Sequence, residues 1–428
     1  MILIYSHNTS ARLSYICSFI FKELMGVDFL ITTHITSFKE HEGVKINYSS
    51  KRIFEDEVFI RSAGLLFEKE IKEQEIECFE TPFYKVFYKT VDSDIDFDIF
   101  AASFYLLSRY EEYLPHTKDE YGRYDHKNSL AFKEGFLSVP LINIWVKDLS
   151  FVIKKKFSIF NAQYSIFKFI PTYDIDIAYS YKHKGLLRNI GGFFKTPSLK
   201  RLLVLLRLQK DPFDTFDKLD VLHQQYNLEP IYFFLLAQKN SVYDKNILPN
   251  TKALQSILKN IASKYATGIH PSWQSGDDIS LIKKEKELLS QLSNSTVTRS
   301  RQHYIRFNLP EGYNRLIDAG ITDDHTMGYG TVNGFRASTA TSFFWFDLQK
   351  NEETSLRIHP FCFMEANSLY QQKLTPAQAF DELMYYYAIC KEVNGTLITI
   401  WHNHTIGSDN LFKGWGELYE QFLKQITQ

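Results

Sequence analysis

The most informative stretch of the chain reads Pro171-Thr-Tyr-Asp174-Ile-Asp176-Ile-Ala-Tyr179, and it directly follows a predicted strand, Tyr164 to Pro171. Residues two apart at a strand end point to the same side, so the side chains of Asp174 and Asp176 are expected to converge. Two carboxylates this close repel one another unless a cation or a shared proton relieves them, and a divalent metal would do so. The other interpretation is an Asp-rich turn that caps the next helix.

Strand-like and helix-like runs alternate from this stretch to the C-terminus. Further strands are predicted at 230–237, 266–270, 296–299 and 397–401, and helices at 254–265 and 281–292. Sustained alternation of this kind predicts a parallel sheet, and over 163–428 it favours a closed or nearly closed (β/α) barrel. In such a barrel the active residues lie at the C-terminal ends of the strands.

Residues 1–155 mix short alternating runs with amphipathic helices, which predicts a small α/β domain ahead of the barrel. The boundary between the two domains is expected within 150–163. A helix is expected over 97–113, and its C-terminal end presents Arg109, Glu111 and Glu112 among aromatic residues. These charges form either a solvated helix edge or a polar patch against substrate or between the domains.

An insertion at about 182–218 separates the first two predicted barrel strands. From Lys182 to Lys210 it contains eight basic residues and no acidic one, around the amphipathic run Leu199 to Leu208. Basic and amphipathic character together indicate a peripheral membrane contact or a cover over an anionic substrate. The alternative is a helix that simply packs on the barrel.

Composition restricts the class of protein. The 428 residues include 49 Lys plus Arg and 50 Asp plus Glu, and a net charge of −1 argues against a dedicated nucleic-acid-binding protein. The four cysteines lie far apart without a C-x-x-C pair, which fits a reducing compartment. The N-terminus lacks the features of a signal peptide and the chain has no run of 18 apolar residues, so a soluble cytoplasmic protein is expected.

Several histidines follow predicted strands, as the two aspartates do. They are His270, His303, His402 and His404. A single histidine is usually a structural residue, but imidazoles and carboxylates at one rim of a barrel indicate a zinc-type site with oxygen and nitrogen ligands.

These motifs resemble the polysaccharide deacetylase family (carbohydrate esterase family 4, the NodB homology domain). Thr172-Tyr-Asp-Ile-Asp176 is similar to its first motif, in the variant with one residue between the aspartates. The later motifs follow in the family's order and extend the resemblance over roughly 165–425: Pro230 to Ala237, Gly268 to Ser272, Arg299 to Tyr304 and Thr399 to Asn403. The resemblance implies a distorted seven-stranded (β/α) barrel. Phe100 to Tyr113 resembles part of an uncharacterised N-terminal domain found in a Bacteroidetes-type subgroup.

The resemblance also implies residue roles. Asp174 would be the catalytic base, Asp176 and His270 ligands of a divalent metal, zinc first, and His402 the general acid. The family's metal motif has a second histidine four residues after the first, where this chain has Gln274. His303 is the expected replacement, and the alternatives are His404, His359 and His325.

Further roles are expected around this centre. An arginine, Arg301 or Arg336, is expected beside Asp174, and a backbone N–H near Tyr304 is expected to bind the oxyanion. Exposed aromatic residues are expected to stack on sugar rings: Tyr304, Trp273, Trp401 and Trp415.

Two other segments have alternative interpretations. The loop at 328–336 either orients substrate through Arg336 or is a tight turn that needs a positive φ at Gly334. Asp323-Asp324-His325 is either a second metal site or a helix cap or turn.

The predicted function is a metal-dependent hydrolase that removes acetyl groups from an N- or O-acetylated sugar, an intermediate in cell-surface polysaccharide synthesis. One alternative is an allantoinase-like C–N hydrolase on the same fold. The other is a catalytically degenerate barrel that binds glycan. No nucleic-acid partner is expected, and the sequence does not predict the oligomeric state.

Overall fold

The computed structural model describes residues 1–195 and 197–427. The side chains of Leu186, Leu187 and Lys195 also lie outside the described residues. Lys195 is one of the eight basic residues of the insertion.

The N-terminal region is built on a small parallel sheet. Its strands are β1 (Ile2–Tyr5), β2 (Phe29–Thr32), β3 (Val44–Ser49), β4 (Val58–Arg61) and the short pair β5 (Phe79–Glu80) and β6 (Lys85–Val86). Its helices are α1 (Ala11–Cys17), α2 (Ile35–Glu40), α3 (Ile99–Leu107), α4 (Leu130–Lys133) and α5 (Leu141–Lys156). The first four strands pair in parallel in the order β2-β1-β3-β4, and β5 pairs with β6 in an antiparallel manner.

The helix predicted over 97–113 is shorter than expected. Asp98 caps α3 by accepting a hydrogen bond from the N–H of Ala101, and the helix ends at Leu107. Arg109 then has a positive φ of 55°, and a 3₁₀ turn covers Tyr110–Tyr113. The left-handed residue breaks the helical path, and it directs the Arg109 side chain into the protein.

A second, larger sheet begins with the Asp174 stretch. Its strands are β7 (Lys168–Ile175), β8 (Ile231–Phe234), β9 (Ala266–Ile269), β10 (Arg299–Ser300), β11 (Asp323–Asp324), β12 (Phe343–Asp347), β13 (Glu352–Ile358), β14 (Phe363–Met364) and β15 (Thr396–His402). Its helices are α6 (Leu186–Lys195), α7 (Leu199–Leu205), α8 (Phe216–Gln225), α9 (Lys252–Ala262), α10 (Ile279–Ser293), α11 (Glu311–Asp318), α12 (Pro376–Glu392) and α13 (Trp415–Ile426).

The nine strands pair in the order β12-β13-β11-β10-β9-β8-β7-β15-β14. All pairs are parallel except β12 with β13. Eight consecutive strands, from β13 to the two-residue β14 in this order, are parallel, and the antiparallel β12 extends the sheet at one end. No strand pairing among the described residues joins β12 or β13 to β14, so closure into a barrel stays a prediction.

Both sheets share one hydrophobic core. The apolar strand β12 lies at one end of the larger sheet, and α1 and α3 of the N-terminal region pack on it. The ring of Phe346 lies 4.9 Å from Tyr15 and 5.2 Å from Phe104, measured between centroids. This packing covers an edge strand that would otherwise expose aromatic side chains. Among the described residues, no helix has both the length and the apolar composition needed to cross a membrane.

Candidate metal centre

A pocket of about 350 Å³ opens where the parallel strands end. Strand β7 runs to Ile175, past its predicted end at Pro171, and places Asp174 in register with His402 of β15. The chain following β9 supplies His270, and the chain following β10 supplies His303. The pocket is lined by the polar residues predicted at strand ends: Asp174, Asp176, His270, His303, His402 and His404.

Asp176, His270 and His303 form a cluster with metal-ligand geometry. Their ligand atoms all lie within 4.8 Å of one another. The Nε2 atom of His270 is 3.1 Å from Asp176 Oδ1, and that of His303 is 3.5 Å from Asp176 Oδ2. The replacement expected for Gln274, namely His303, therefore lies beside the other two predicted ligands.

The outer nitrogens of both imidazoles are engaged by acceptors. His270 Nδ1 donates to the carbonyl of Arg301 at 2.5 Å, since a carbonyl oxygen only accepts. His303 Nδ1 lies 3.1 Å from the buried carboxylate of Asp244. An outer acceptor of this kind orients a metal-binding histidine and leaves the lone pair of Nε2 for the metal.

The cluster requires a positive charge at its centre. Asp176 Oδ1 is buried without a hydrogen-bond partner, although His270 Nε2 lies close to it. Burial alone would lower the pKa of His303, but Asp176 and Asp244 outweigh that effect and raise the pKa to about 9. A divalent ion could take the place of the proton on His303. One carboxylate oxygen and two imidazole nitrogens are donors that suit an ion of the zinc type.

Asp174 lies beside this cluster and is paired with an arginine. Arg301 is fully buried and donates from Nη1 to Asp174 Oδ1 at 2.9 Å and to the Thr172 hydroxyl at 2.7 Å. The other oxygen, Asp174 Oδ2, lies 3.7 Å from His270 Nε2. Arg301 thus compensates the charge of this carboxylate and fixes its direction toward the pocket.

His402 lines the pocket from β15, the strand next to β7, and is held by a buried glutamate. Glu365 Oε1 lies 2.7 Å from His402 Nδ1 and accepts from its backbone N–H at 2.8 Å. Burial alone would lower the pKa of His402, but Glu365 and Asp176 raise it well above the usual value. Its Nε2, 3.4 Å from Asp176 Oδ2, faces the pocket.

The alternative ligands do not join the cluster. His404 lines the pocket, but burial lowers its pKa to about 3 and its ring packs between Phe213 and Phe412. His325 and His359 stack on each other with centroids 4.4 Å apart. Asp323 and Asp324 form strand β11, and Asp324 accepts from the Thr326 N–H at 2.8 Å, which fits the turn and not the helix cap. Among the described residues, they do not form a second group of metal ligands.

Gln274 has a place in the outer layer of the site. Its amide donates to Asp244 Oδ2 at 3.2 Å and to the Lys239 carbonyl at 3.3 Å. It thereby helps to hold the carboxylate that orients His303. Asp244 had no signal in the sequence, because it lies in an irregular segment between β8 and α9.

Three expected site residues lie elsewhere. Arg336 is buried and donates to Glu112 and to the Gly328 carbonyl, so its predicted position beside Asp174 is wrong. Trp401 is fully buried against Tyr419 and Phe363, and Trp415 is likewise in the core. The alternation of β15 turns the Trp401 ring to the face opposite His402. At 328–336, Gly334 has a φ of 143°, as the tight-turn interpretation requires.

Aromatic side chains form one wall of the pocket, and part of this wall comes from the N-terminal region. Tyr121, Tyr243 and Tyr304 line the pocket, and Trp273 stacks on the outer side of Tyr243 at 3.8 Å. Arg123 also lines it and donates to the Tyr304 carbonyl at 2.5 Å. The sequence offered no signal for Tyr121 or Arg123, which lie in a loop more than 40 residues before β7.

Comparison with known proteins gives two kinds of similarity. Residues 2–158 match a family model described as a family of unknown function, DUF7033. A comparison with curated proteins gives no match.

Among solved structures, the chain is similar to the polysaccharide deacetylase Bc1974 from Bacillus cereus, at 11% identity over 61% of this chain and 88% of that chain, with a TM-score of 0.32. It is similar to a probable polysaccharide deacetylase from Pseudomonas aeruginosa PAO1, at 10% identity over 61% and 84%, with a TM-score of 0.37. It is also similar to BA3943, a CE4 family pseudoenzyme from Bacillus anthracis, at 9% identity over 60% and 61%, with a TM-score of 0.32. These structural neighbours are polysaccharide deacetylases and a pseudoenzyme of the same family, at low identity and over part of the chain.

Proposed function

We propose that the protein is a metal-dependent hydrolase that removes an acetyl group from an N- or O-acetylated sugar. The observation that carries this proposal is a group of three candidate ligands with two charge pairs at one pocket. The ligand cluster Asp176, His270 and His303 lies between a carboxylate held by an arginine and an imidazolium held by a glutamate. Hydrolysis of an acetyl group needs a general base and a general acid, and Asp174 and His402 would supply them.

Asp176, His270 and His303 would hold the divalent ion, zinc first. When bound, such an ion polarises a carbonyl and lowers the pKa of water toward about 7. The chain's own contribution is to orient the two imidazoles through the Arg301 carbonyl and Asp244. Both acceptors are buried, so they keep this orientation without competition from solvent.

Asp174 would accept the proton of the attacking water. Its Oδ1 is engaged by Arg301, so Oδ2, which faces the ligand cluster, is the oxygen available for the proton. The hydrogen bond from Arg301 to Oδ1 fixes the orientation of the carboxylate and so keeps Oδ2 directed at the ligand cluster.

His402 would donate a proton from Nε2 to the leaving amine or alkoxide. The raised pKa, caused by Glu365 and Asp176 against the effect of burial, keeps this proton in place before the reaction. Glu365 also stabilises one ring orientation, because it accepts from both Nδ1 and the backbone N–H. The backbone N–H of Tyr304 is our candidate donor to the oxyanion.

The aromatic wall of Tyr121, Tyr243 and Tyr304 would bind the sugar ring, because aromatic faces suit the apolar faces of sugars. Trp273 would support Tyr243 from behind rather than contact substrate. Gln274 in place of a second histidine is the feature that favours a catalytically degenerate barrel, and His303 beside Asp176 and His270 supports the enzyme over it. No observation favours the allantoinase-like alternative.

Metal content and acetate release test the proposal. We expect purified protein reloaded with zinc to bind about one ion per chain and to release acetate from N-acetylglucosamine oligosaccharides or an O-acetylated xylan. Asp174→Asn should retain the ion and lose acetate release by about 100-fold or more. Asp176→Asn should lose the ion.

His404→Gln is the matched control, because His404 lines the same pocket without joining the ligand cluster, and this variant should keep the ion. Protein that binds no divalent ion, or an Asp174→Asn variant with undiminished turnover, would contradict the proposal. Ring opening of allantoin to allantoate without acetate release would favour the C–N hydrolase instead.

A further inference from the structure

We propose that the segment 186–208, called here the insertion hairpin, docks the protein on an anionic lipid bilayer beside its pocket. The hairpin consists of α6, α7 and the short chain that follows α7. Its exposed apolar surface, its charge and its attachment to the pocket rim lead to this proposal.

The described residues of the insertion hairpin expose several large apolar side chains. Phe194 is 81% exposed, Leu199 72% and Leu208 73%. An apolar groove of about 320 Å³ lies between α6 and α7, lined mainly by Ile190, Phe193, Phe194, Leu202 and Leu205. Single exposed apolar residues are ordinary, whereas a patch of this kind marks an interaction surface. Among the α7 residues, only Val204 is buried, so the helix packs little against the protein.

The charge around this apolar surface has one sign. The segment 182–210 contains no acidic residue, and its described basic residues are Lys182, Lys184, Arg188, Lys200, Arg201, Arg207 and Lys210. A helix with apolar residues on one face and Lys and Arg around it binds at the interface of an anionic membrane. A second copy of the hairpin is a poorer occupant, because it would bring two sets of positive charges together.

The insertion hairpin is attached to the rim of the pocket. Arg188 Nη2 donates to the carbonyl of Lys245, a residue that lines the pocket, at 3.0 Å. Lys200 Nζ donates to the Ser408 carbonyl at 2.6 Å. Asp211 closes the base of the insertion by accepting from the backbone N–H groups of Ser180, Tyr181 and Lys182 at 2.8–3.0 Å. These contacts place the docking surface next to the pocket opening.

The consequence for substrate rests on the proposed function. A pocket held at a bilayer by its own rim is suited to an acetylated glycan that is itself carried on the membrane. Docking by the hairpin is a separate property, because it needs neither the metal nor turnover.

Binding of the full-length protein to vesicles tests the proposal. We expect the protein to co-sediment with vesicles of phosphatidylglycerol and phosphatidylcholine in equal parts, and to bind phosphatidylcholine vesicles at least tenfold more weakly. Phe194→Ser combined with Leu206→Ser should lose at least tenfold in binding, and so should Lys200→Glu combined with Arg207→Glu. Phe151→Ser is the matched control, since Phe151 is 70% exposed on α5 outside the hairpin, and its binding should be unchanged.

Light scattering and circular dichroism on the same samples complete the test. The proposal would be overturned if wild-type protein did not bind anionic vesicles. It would also be overturned if folded hairpin variants bound them as well as wild type does. A dimer that is lost in Phe194→Ser with Leu206→Ser, without vesicle binding, would assign the surface to a second copy instead. Acetate release in the absence of lipid reports on the proposed function alone. A failure of membrane docking can therefore be distinguished from a failure of the proposed function.

Discussion

At the scale of single residues, the candidate metal centre depends on side chains that never reach the ion. His303, which we propose as the third ligand in place of Gln274, donates to Asp244, and Gln274 also donates to Asp244. The residue types at strand ends could be read from the sequence. The outer partners could not, because they come from irregular segments whose positions depend on packing.

Asp244→Asn should weaken zinc binding by about 10- to 100-fold, because the outer carboxylate that orients His303 and raises its basicity is removed. Competition with a chromogenic zinc chelator measures this change. Gln274→Ala removes one neutral donor to the same carboxylate and should leave the affinity nearly unchanged. Equal affinities in wild type and Asp244→Asn would contradict the role of Asp244.

His223 predicts a pH dependence of stability away from the pocket. Burial lowers its pKa to about 4, and its Nε2 lies 2.8 Å from the Tyr173 hydroxyl. Because the unfolded chain binds the proton near pH 6.5 and the folded protein does not, the free energy of unfolding should fall by about 2 kcal/mol between pH 7.5 and 5 from this group. Urea unfolding of wild type and His223→Gln should therefore show a smaller loss in the variant. If the free energies of unfolding of wild type and His223→Gln fell in parallel with pH, this role of His223 would be excluded.

At the scale of elements, strand ends bring the polar residues together, and one loop of the N-terminal region completes the pocket. Asp119 shapes this loop by accepting from the N–H groups of Tyr121 and Arg123, and its carboxylate pairs with the Arg123 side chain at 2.6 Å. The Arg123 guanidinium lies 4.8 Å from the centre of the Tyr121 ring. The loop is thus held in one conformation against Tyr304.

Tyr121→Ala should raise KM for the sugar substrate several-fold while kcat and zinc content stay close to wild type, because a stacking surface is lost and the ligand cluster is untouched. Steady-state acetate release measures both constants. Tyr121→Phe keeps the ring and should restore KM. A KM that is unchanged in Tyr121→Ala would remove this residue from the substrate site.

At the scale of the whole molecule, a buried charge network joins the N-terminal region to the larger sheet. Glu112 accepts from Arg109 Nε at 2.7 Å and from Arg336 Nε at 2.8 Å, and Arg109 also donates to the Arg336 carbonyl. Burial alone would raise the pKa of Glu112, but the two arginines lower it to about 2. The expectation of a solvated helix edge is therefore wrong, and the polar patch between the regions is the better description.

Glu112→Ala should destabilise the protein by about 3–5 kcal/mol, because it leaves two arginines buried without their shared carboxylate. Denaturant unfolding measures this loss. Glu420→Ala is the matched control, since Glu420 pairs with Lys218 at a largely exposed position and should cost less than about 1 kcal/mol. If Glu112→Ala and Glu420→Ala lowered the free energy of unfolding by similar amounts, the buried network would contribute no more to stability than an exposed ion pair.

The sequence by itself determined the alternation of strands and helices, the parallel direction of the larger sheet, and the placement of Asp174, Asp176 and the histidines at strand ends. These properties follow from local periodicity, because strand period and direction decide which side and which end a residue occupies. Only the tertiary structure decided that Arg301 rather than Arg336 meets Asp174, that Trp401 is buried, and that Tyr121 reaches the pocket. These contacts join residues far apart in the chain, and they depend on strand order and on packing between the two regions, which local periodicity does not encode.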